Sequence, residues 1–143
     1  MSVLAWDGKT LAADKRASYG SLILTTTKIF RLCGCLCGYT GDADTGGEVL
    51  DWFRLGALPS DFPARQRESD RFATLVVVQT GGAVVKYERT PFPVRLEDRL
   101  IASGSGRDFA LMAMRLGKTA SEAVELTMEF DSGCGNGVDA LTF

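Results

Sequence analysis

Histidine is absent from all 143 residues. That excludes Ser-His-Asp and Cys-His catalysis and every histidine-containing metal site. Acid–base chemistry must therefore use a lysine, a carboxylate or the chain's own α-amino group, whose ordinary pKa of about 7.7–8.0 already lies near neutral pH. Long apolar runs are missing too, so no segment approaches the roughly 20 residues of a membrane span. The start, MSVLAWDGK, lacks the basic-then-apolar order of a signal peptide. These absences lead to the expectation of a cytoplasmic protein with no membrane partner. Neither sign of charge is in excess: 16 Lys+Arg against 18 Asp+Glu leave a net −2, which gives nucleic acid no field to follow. No Gly-x-x-x-x-Gly-Lys-Ser/Thr loop is present to bind ATP, and no cofactor is expected.

Cysteine is scarce as well: Cys33, Cys35, Cys37 and Cys134 are the four. In a reducing compartment these read as thiols rather than disulfides. Cys33-Gly34-Cys35-Leu36-Cys37 alternates, so a single strand would put three sulfurs on one face, and Cys134 could complete a tetrahedral zinc set. Zinc sites favour Cys-x-x-Cys knuckles, however, and cysteine is a common small core residue. The expectation is no metal.

What is present is an ordinary globular balance, 45% hydrophobic and 24% charged. The length fits one domain spanning residues 1–143. Ser2 to Trp6 and Lys9 to Asp14 read as a hairpin about Asp7-Gly8, a strong short-range turn signal. Leu22 to Leu24 and Ile29 to Cys37 read as strands. Gly41 to Gly47 reads as turn, leading into a helix from Glu48 to Leu55 with Val49, Leu50, Trp52 and Phe53 on its buried side. Pro59 to Asp70 reads as a loop or a frayed helix end. A second hairpin joins Phe72 to Gln79 and Ala83 to Tyr87, and Leu100 to Ser103 is a short strand. Arg107 to Leu116 is a helix stopped by Gly117, and Thr119-Ala120-Ser121-Glu122 is a capping box opening the next helix. The tail, Asp131 to Phe143, begins as a glycine-rich loop and ends in a strand. Hairpins interleaved with helices predict packed sheets covered by helices, not a doubly wound parallel sheet.

Ser2 follows a methionine and is small enough to allow that methionine's removal. Removal would put a hydroxyl and a free amine on one residue, a nucleophile–base pair that needs no histidine. Many proteins begin Met-Ser, so the residues further on carry the weight. Leu11-Ala12-Ala13-Asp14-Lys15-Arg16-Ala17-Ser18, followed by Lys28-Ile29-Phe30, resembles the proteasome β-subunit family, including the HslV peptidases, in its bacterial or phage stand-alone form. Cys37-Gly38-Tyr39-Thr40-Gly41-Asp42-Ala43 resembles the glycine segment before that family's first long helix. Ala102-Ser103-Gly104-Ser105-Gly106 resembles its Gly-Ser-Gly turn, and Asp131-Ser132-Gly133-Cys134-Gly135 its Asp-x-x-Ser-Gly segment. The pieces run the length of the chain in the family's order.

The resemblance implies an α+β fold, a four-layer αββα sandwich of two antiparallel sheets flanked by helices (the N-terminal nucleophile, or Ntn, hydrolase fold), short at its C-terminal end. It implies Ser2 as nucleophile after loss of Met1, with Asp14 and Lys28 flanking it and the Gly38 N–H facing the oxyanion. Ser105, Asp131 and Cys134 would surround the amine. Ser18 and Gly38 would align substrate, with Tyr19, Thr25 and Thr27 near the pocket. The implied activity is peptide-bond hydrolysis in unfolded polypeptides by a homo-oligomeric ring, served by a separate AAA+ unfoldase. The chain departs from the pattern in three ways. Ser2-Val3 stands where most relatives have two threonines, Cys134 stands where they have serine, and the first hairpin and the Asp14-to-Lys28 interval are trimmed. Two alternatives stay open: a catalytically silent subunit of the same fold, and an Ntn amidase acting on small molecules.

Overall fold

A computed structural model describes residues 1–143. The Asp7-Gly8 turn joins β1 (Leu4–Trp6) to β2 (Thr10–Asp14), antiparallel with Leu4 opposite Ala13 and Trp6 opposite Leu11. Side chains alternate across a strand. Leu4, Trp6, Leu11 and Ala13 therefore share one face, while Ala5 and Ala12 share the other with the preceding Val3. Both faces are buried, which is why this stretch reads as nearly continuous apolar sequence. β10 (Ile101–Ser103) and β11 (Val138–Thr142) flank the hairpin, giving the order β10-β1-β2-β11.

A second sheet runs β5 (Ile29–Leu32), β6 (Cys35–Gly41), β7 (Ala73–Val78), β8 (Val84–Tyr87) and β9 (Val94–Leu96), each antiparallel to its neighbour. Its inner residues Ile29, Leu36, Val76, Val78 and Val84 meet Leu4, Trp6 and Leu11 of the first sheet. Its outer residues Cys37, Tyr39, Leu75 and Val77 carry α1 (Ala43–Arg54) through Val49, Leu50 and Trp52. On the far side, Val3, Ala5 and Ala12 carry α3 (Arg107–Arg115) and α4 (Ala120–Phe130) through Ala110, Met114, Ala123 and Val124. The layers are thus helix, sheet, sheet, helix, the expected αββα order. β3 (Arg16–Tyr19) and β4 (Leu22–Thr25) form a separate two-stranded ribbon with Leu22, Ile23 and Leu24 exposed. No helix is long and apolar enough to cross a membrane.

Several elements differ from the sequence reading. Ile29 to Cys37 is a hairpin, not one strand, because Cys33 (φ 54°) and Gly34 (φ 74°) both turn left-handed, the pattern of a tight two-residue hairpin loop. Cys35 and Cys37 nevertheless keep to the α1 side of β6, and the Cys33 thiol bonds the Arg54 carbonyl at the end of α1, so Cys134 is the one set apart. Cys33 is exposed in the turn, Cys37 packs beneath α1, and Cys134 lies in the other helix-covered cluster. No group of three or more Cys, Asp or Glu side chains is placed to hold a metal ion.

Helix α1 starts at Ala43, five residues before the predicted start. The Asp42 carboxylate caps it by accepting from the Thr45 N–H at 3.1 Å. Gly46 suits the helix interior because any Cβ there would run into the Tyr39 ring. Trp52 lies in the core, on the buried side of α1. Its indole N–H donates to the Leu58 carbonyl at 2.8 Å, and its ring packs edge-on against Phe62 and Tyr87. Pro59 to Asp70 contains a 3₁₀ turn (Pro59–Asp61) and the short helix α2 (Ala64–Glu68), whose buried Gln66 bonds the main chain of Ala73 and Glu88. Strand β9 was not anticipated, being three residues on a polar stretch.

Asp7 shows how the first hairpin is tied to the last helix. Its carboxylate accepts from the N–H groups of Lys9, Thr10 and Ala120, the last being the first residue of α4. Burial raises its pKa, but those main-chain donors outweigh burial and leave it below the usual aspartate value. A depressed carboxylate contributes stability that is present above its unfolded pKa and lost as pH falls through the folded one. Asp7→Ala is therefore expected to cost about 1–2 kcal/mol at neutral pH and progressively less below about pH 4. Urea unfolding at both pH values checks this, and equal losses at the two would contradict it.

Candidate active site

Five chain segments converge at one end of the sheet sandwich. Ser2 immediately precedes β1, Asp14 ends β2, and Lys28 immediately precedes β5. Ser105 lies in the turn between β10 and α3, and Asp131 to Gly135 follows α4. Antiparallel pairing of β1 with both β2 and β10 brings three of these segments side by side. Lys28 arrives from the second sheet, its main chain fixed by the Tyr39 N–H donating to its carbonyl at 3.1 Å.

The Lys28 ammonium donates to Ser2 Oγ at 3.1 Å and to Asp14 Oδ1 at 2.8 Å. Ser2, Asp14 and Lys28 are 3%, 0% and 3% exposed, so this is a buried ion pair aimed at a hydroxyl. An isolated charge at that depth would be costly. Here the carboxylate is compensated beyond its lysine. Oδ1 also accepts from the Val3 N–H at 3.0 Å, and Oδ2 accepts from Gly135 at 3.0 Å and Arg16 at 3.2 Å. Three main-chain donors and one ammonium thus hold Asp14, and Asp14 holds Lys28.

On the nitrogen side, Ser2 N donates to Ser105 Oγ at 3.3 Å, and Ser105 Oγ donates to Asp131 Oδ2 at 2.9 Å. Burial works against the Asp131 carboxylate, but bonds from the Gly133 N–H and the Ser105 hydroxyl outweigh it and lower its pKa. The Cys134 sulfur lies 4.0 Å from Ser105 Oγ. Burial first, then the Asp14 and Asp131 carboxylates, push that thiol up to about 12, so it stays protonated. The Ser2 main chain sits in a cradle: the Gly106 N–H donates to its carbonyl at 3.1 Å, and a Cβ on Gly104 (φ 93°) would run into the same carbonyl. Met1 is exposed and lies over Gly133, where a side chain would collide with it. Ser2, Met1 and Ser105 open onto a cleft of about 1600 Å³.

Of the residues singled out from the sequence, Ser2, Asp14, Lys28, Ser105, Asp131 and Cys134 are brought together. Gly38 lies on β6 opposite Ile29 and Val76, where a Cβ would run into Leu4 and crowd Ile29. Its bare Cα lets β1 lie close against β6. Ser18 is exposed on β3 opposite Ile23 and makes no hydrogen bond to the cluster. Sequence reasoning missed Gly135 and Val3 as donors to Asp14. It also missed Arg16, whose guanidinium bonds the Ser132 carbonyl and Asn136 Oδ1 and so ties the Asp131–Gly135 loop to β3. Gly135 was visible as part of a glycine-rich stretch. Nothing local marked Arg16, since its partners lie more than a hundred residues away.

No family profile matches the chain. Proteasome subunit beta 1 of Thermococcus kodakarensis is 27% identical over 176 aligned positions, covering 99% of this chain and 86% of that protein. The structure of Thiobacillus denitrificans BPH in complex with epoxomicin aligns with a TM-score of 0.77 at 20% identity, covering 100% of this chain and 98% of that one. Eukaryotic HslV from Trypanosoma brucei aligns with a TM-score of 0.66 at 18% identity, covering 98% and 97% of the two chains. Along its whole length the chain is similar in sequence to a proteasome β subunit, and its architecture is the N-terminal nucleophile hydrolase fold that HslV shares.

Proposed function

We propose that the chain is a peptidase subunit that hydrolyses peptide bonds with Ser2 as nucleophile once Met1 has been removed. The observation that carries the reading is the buried Lys28 ammonium, 3.1 Å from Ser2 Oγ and 2.8 Å from Asp14. With Met1 attached, the Ser2 nitrogen is an amide whose lone pair is delocalised and cannot act as a base. Without Met1 it is a primary amine beside its own hydroxyl. The nearby positive charge of Lys28 lowers the pKa of that amine and favours its neutral form.

The neutral amine takes the Ser2 hydroxyl proton as Oγ bonds to the substrate carbonyl carbon. The resulting oxyanion needs a main-chain N–H at the cleft; Gly38, expected in that role from the family resemblance, lies instead within β6 between Ile29 and Val76. The ammonium then returns the proton to the departing amine of the substrate, leaving an ester on Ser2. Water, deprotonated by the same amine, hydrolyses that ester. Ser105 and Asp131 hold the amine, and Ser18 aligns the substrate strand.

The same reading has unfolded polypeptides as substrates, a homo-oligomeric ring, and a separate AAA+ unfoldase as partner. The exposed apolar residues Tyr19, Leu22, Ile23 and Leu24 on the β3–β4 ribbon support an assembled state, since exposed apolar patches mark contact surfaces.

A second reading, a silent subunit of the same fold, is favoured by Cys134, a weak donor beside Ser105 where the family pattern has serine. Intact mass with and without a β-lactone that acylates N-terminal nucleophiles separates the two. Loss of Met1 and one adduct on Ser2 are expected. Processed protein that takes no adduct would move the assignment to the silent subunit. Protein in which Met1 cannot be removed should take no adduct, and full activity with Met1 retained would refute the α-amine as base.

A further inference from the structure

The two sheets meet almost wholly through apolar side chains, among them Leu4, Trp6, Ile29, Val76 and Ile101. Besides the Lys28 contacts with Ser2 and Asp14, one polar link lies beside Ser2. Thr40 Oγ1 on β6 and Ser103 Oγ on β10 are 2.8 Å apart, a hydrogen bond that crosses from one sheet to the other. Thr40 is 3% exposed, and neither hydroxyl makes another hydrogen bond within the protein. Both residues line the cleft that Ser2 opens onto.

Ser103 is the last residue of β10 and leads directly into Gly104-Ser105-Gly106, the cradle of the Ser2 main chain. β10 pairs with β1 alone and is an edge strand, so its far side has no neighbour to steady this turn. Thr40 steadies it twice. Its hydroxyl bonds Ser103, and its methyl lies where a Cβ on Gly104 would come within 3.2 Å. The second sheet also supplies Lys28, at the start of β5, to the Ser2 hydroxyl. The Ser2 main chain is thus held from the first sheet and its hydroxyl from the second.

We propose that Thr40 and Ser103 are a positioning pair that sets the offset between the Gly104–Gly106 cradle and Lys28, and through it the aim of the Ser2 hydroxyl and amine. The proposal rests on Ser2 being the nucleophile. Displacement of reacting groups by a fraction of an ångström lowers turnover without weakening substrate binding, so the pair acts on kcat and not on KM.

The test uses full-length processed protein and an unstructured chromogenic peptide. Thr40→Val keeps the shape of the side chain and removes the hydroxyl, whereas Thr40→Ser keeps the hydroxyl. Thr40→Val and Ser103→Ala are each expected to lower kcat by about tenfold or more, with KM unchanged. The double variant should be no slower than either single one, because both remove the same bond. Thr40→Ser should stay close to the parent. If Thr40→Val fails to fold by circular dichroism, Ser103→Ala, at a half-buried position, decides alone. Parental kcat in both single variants, or losses that multiply in the double one, would overturn the pair while leaving the nucleophile intact. A processed parent that neither cleaves nor takes a β-lactone adduct would overturn the nucleophile and the pair together.

Discussion

Lys28→Met should lower kcat by about a thousandfold or more and move the rising limb of the pH–rate profile to higher pH. The sign follows from the charge. The Ser2 amine acts as a base only when neutral, so activity rises with pH through its pKa. A positive charge 3.1 Å from Ser2 Oγ lowers that pKa, and removing the charge raises it. Methionine fills much of the lysine volume, so the change tests charge rather than packing.

A stability cost is expected alongside. Breaking a buried pair by removing one partner costs about 3–5 kcal/mol. The lower end applies here, because Asp14 keeps the N–H donors of Val3, Arg16 and Gly135. Urea unfolding separates this loss from the kinetic one, since the variant can be assayed where it remains folded. Unchanged kcat and an unmoved pH limb would refute the role of Lys28, whatever the stability did.

Ser2→Ala should abolish adduct formation and reduce cleavage by at least about a thousandfold, with little loss of fold. The Ser2 main chain keeps its bonds to Ser105 and Gly106, and Lys28 keeps Asp14 after the hydroxyl has gone. Removing one oxygen from a site this well held opens no large cavity. The two substitutions are therefore expected to differ in kind: Lys28→Met costs stability and activity together, whereas Ser2→Ala costs activity alone. Turnover in Ser2→Ala equal to the parent would exclude Ser2 as nucleophile.

The legibility of the fold varied with the range of the forces behind each element. The β1–β2 hairpin, the Thr119 capping box with Glu122 and the Gly117 helix stop were all readable, because each is decided by a few adjacent residues. The errors fall where a distant partner overrides the local signal. Gly46-Gly47 resembles a turn, yet both residues lie in α1, where the bare Gly46 leaves room for the Tyr39 ring. Ile29 to Cys37 resembles one apolar strand, yet Cys33 adopts a left-handed φ that only Gly34 advertises.

The site divides along the same line. The absence of histidine determined that catalysis needs another base. Ser2, Asp14, Lys28, Ser105, Asp131 and Cys134 could all be named from motifs in order along the chain. Motifs have no third dimension, so they said nothing of distance or depth. Only the sandwich decided that Lys28 would reach from one sheet to a hydroxyl held by the other, and that Asp14 would be buried with three main-chain donors around it. Thr40 and Ser103 each fell inside a matched motif, but nothing in the sequence paired them, since their bond spans 63 positions and joins strands of different sheets. The physical reason is the same in each case. Turns and caps are local hydrogen-bond choices made within a few residues, whereas a buried charge or a cross-sheet bond acquires its partner only when the layers close.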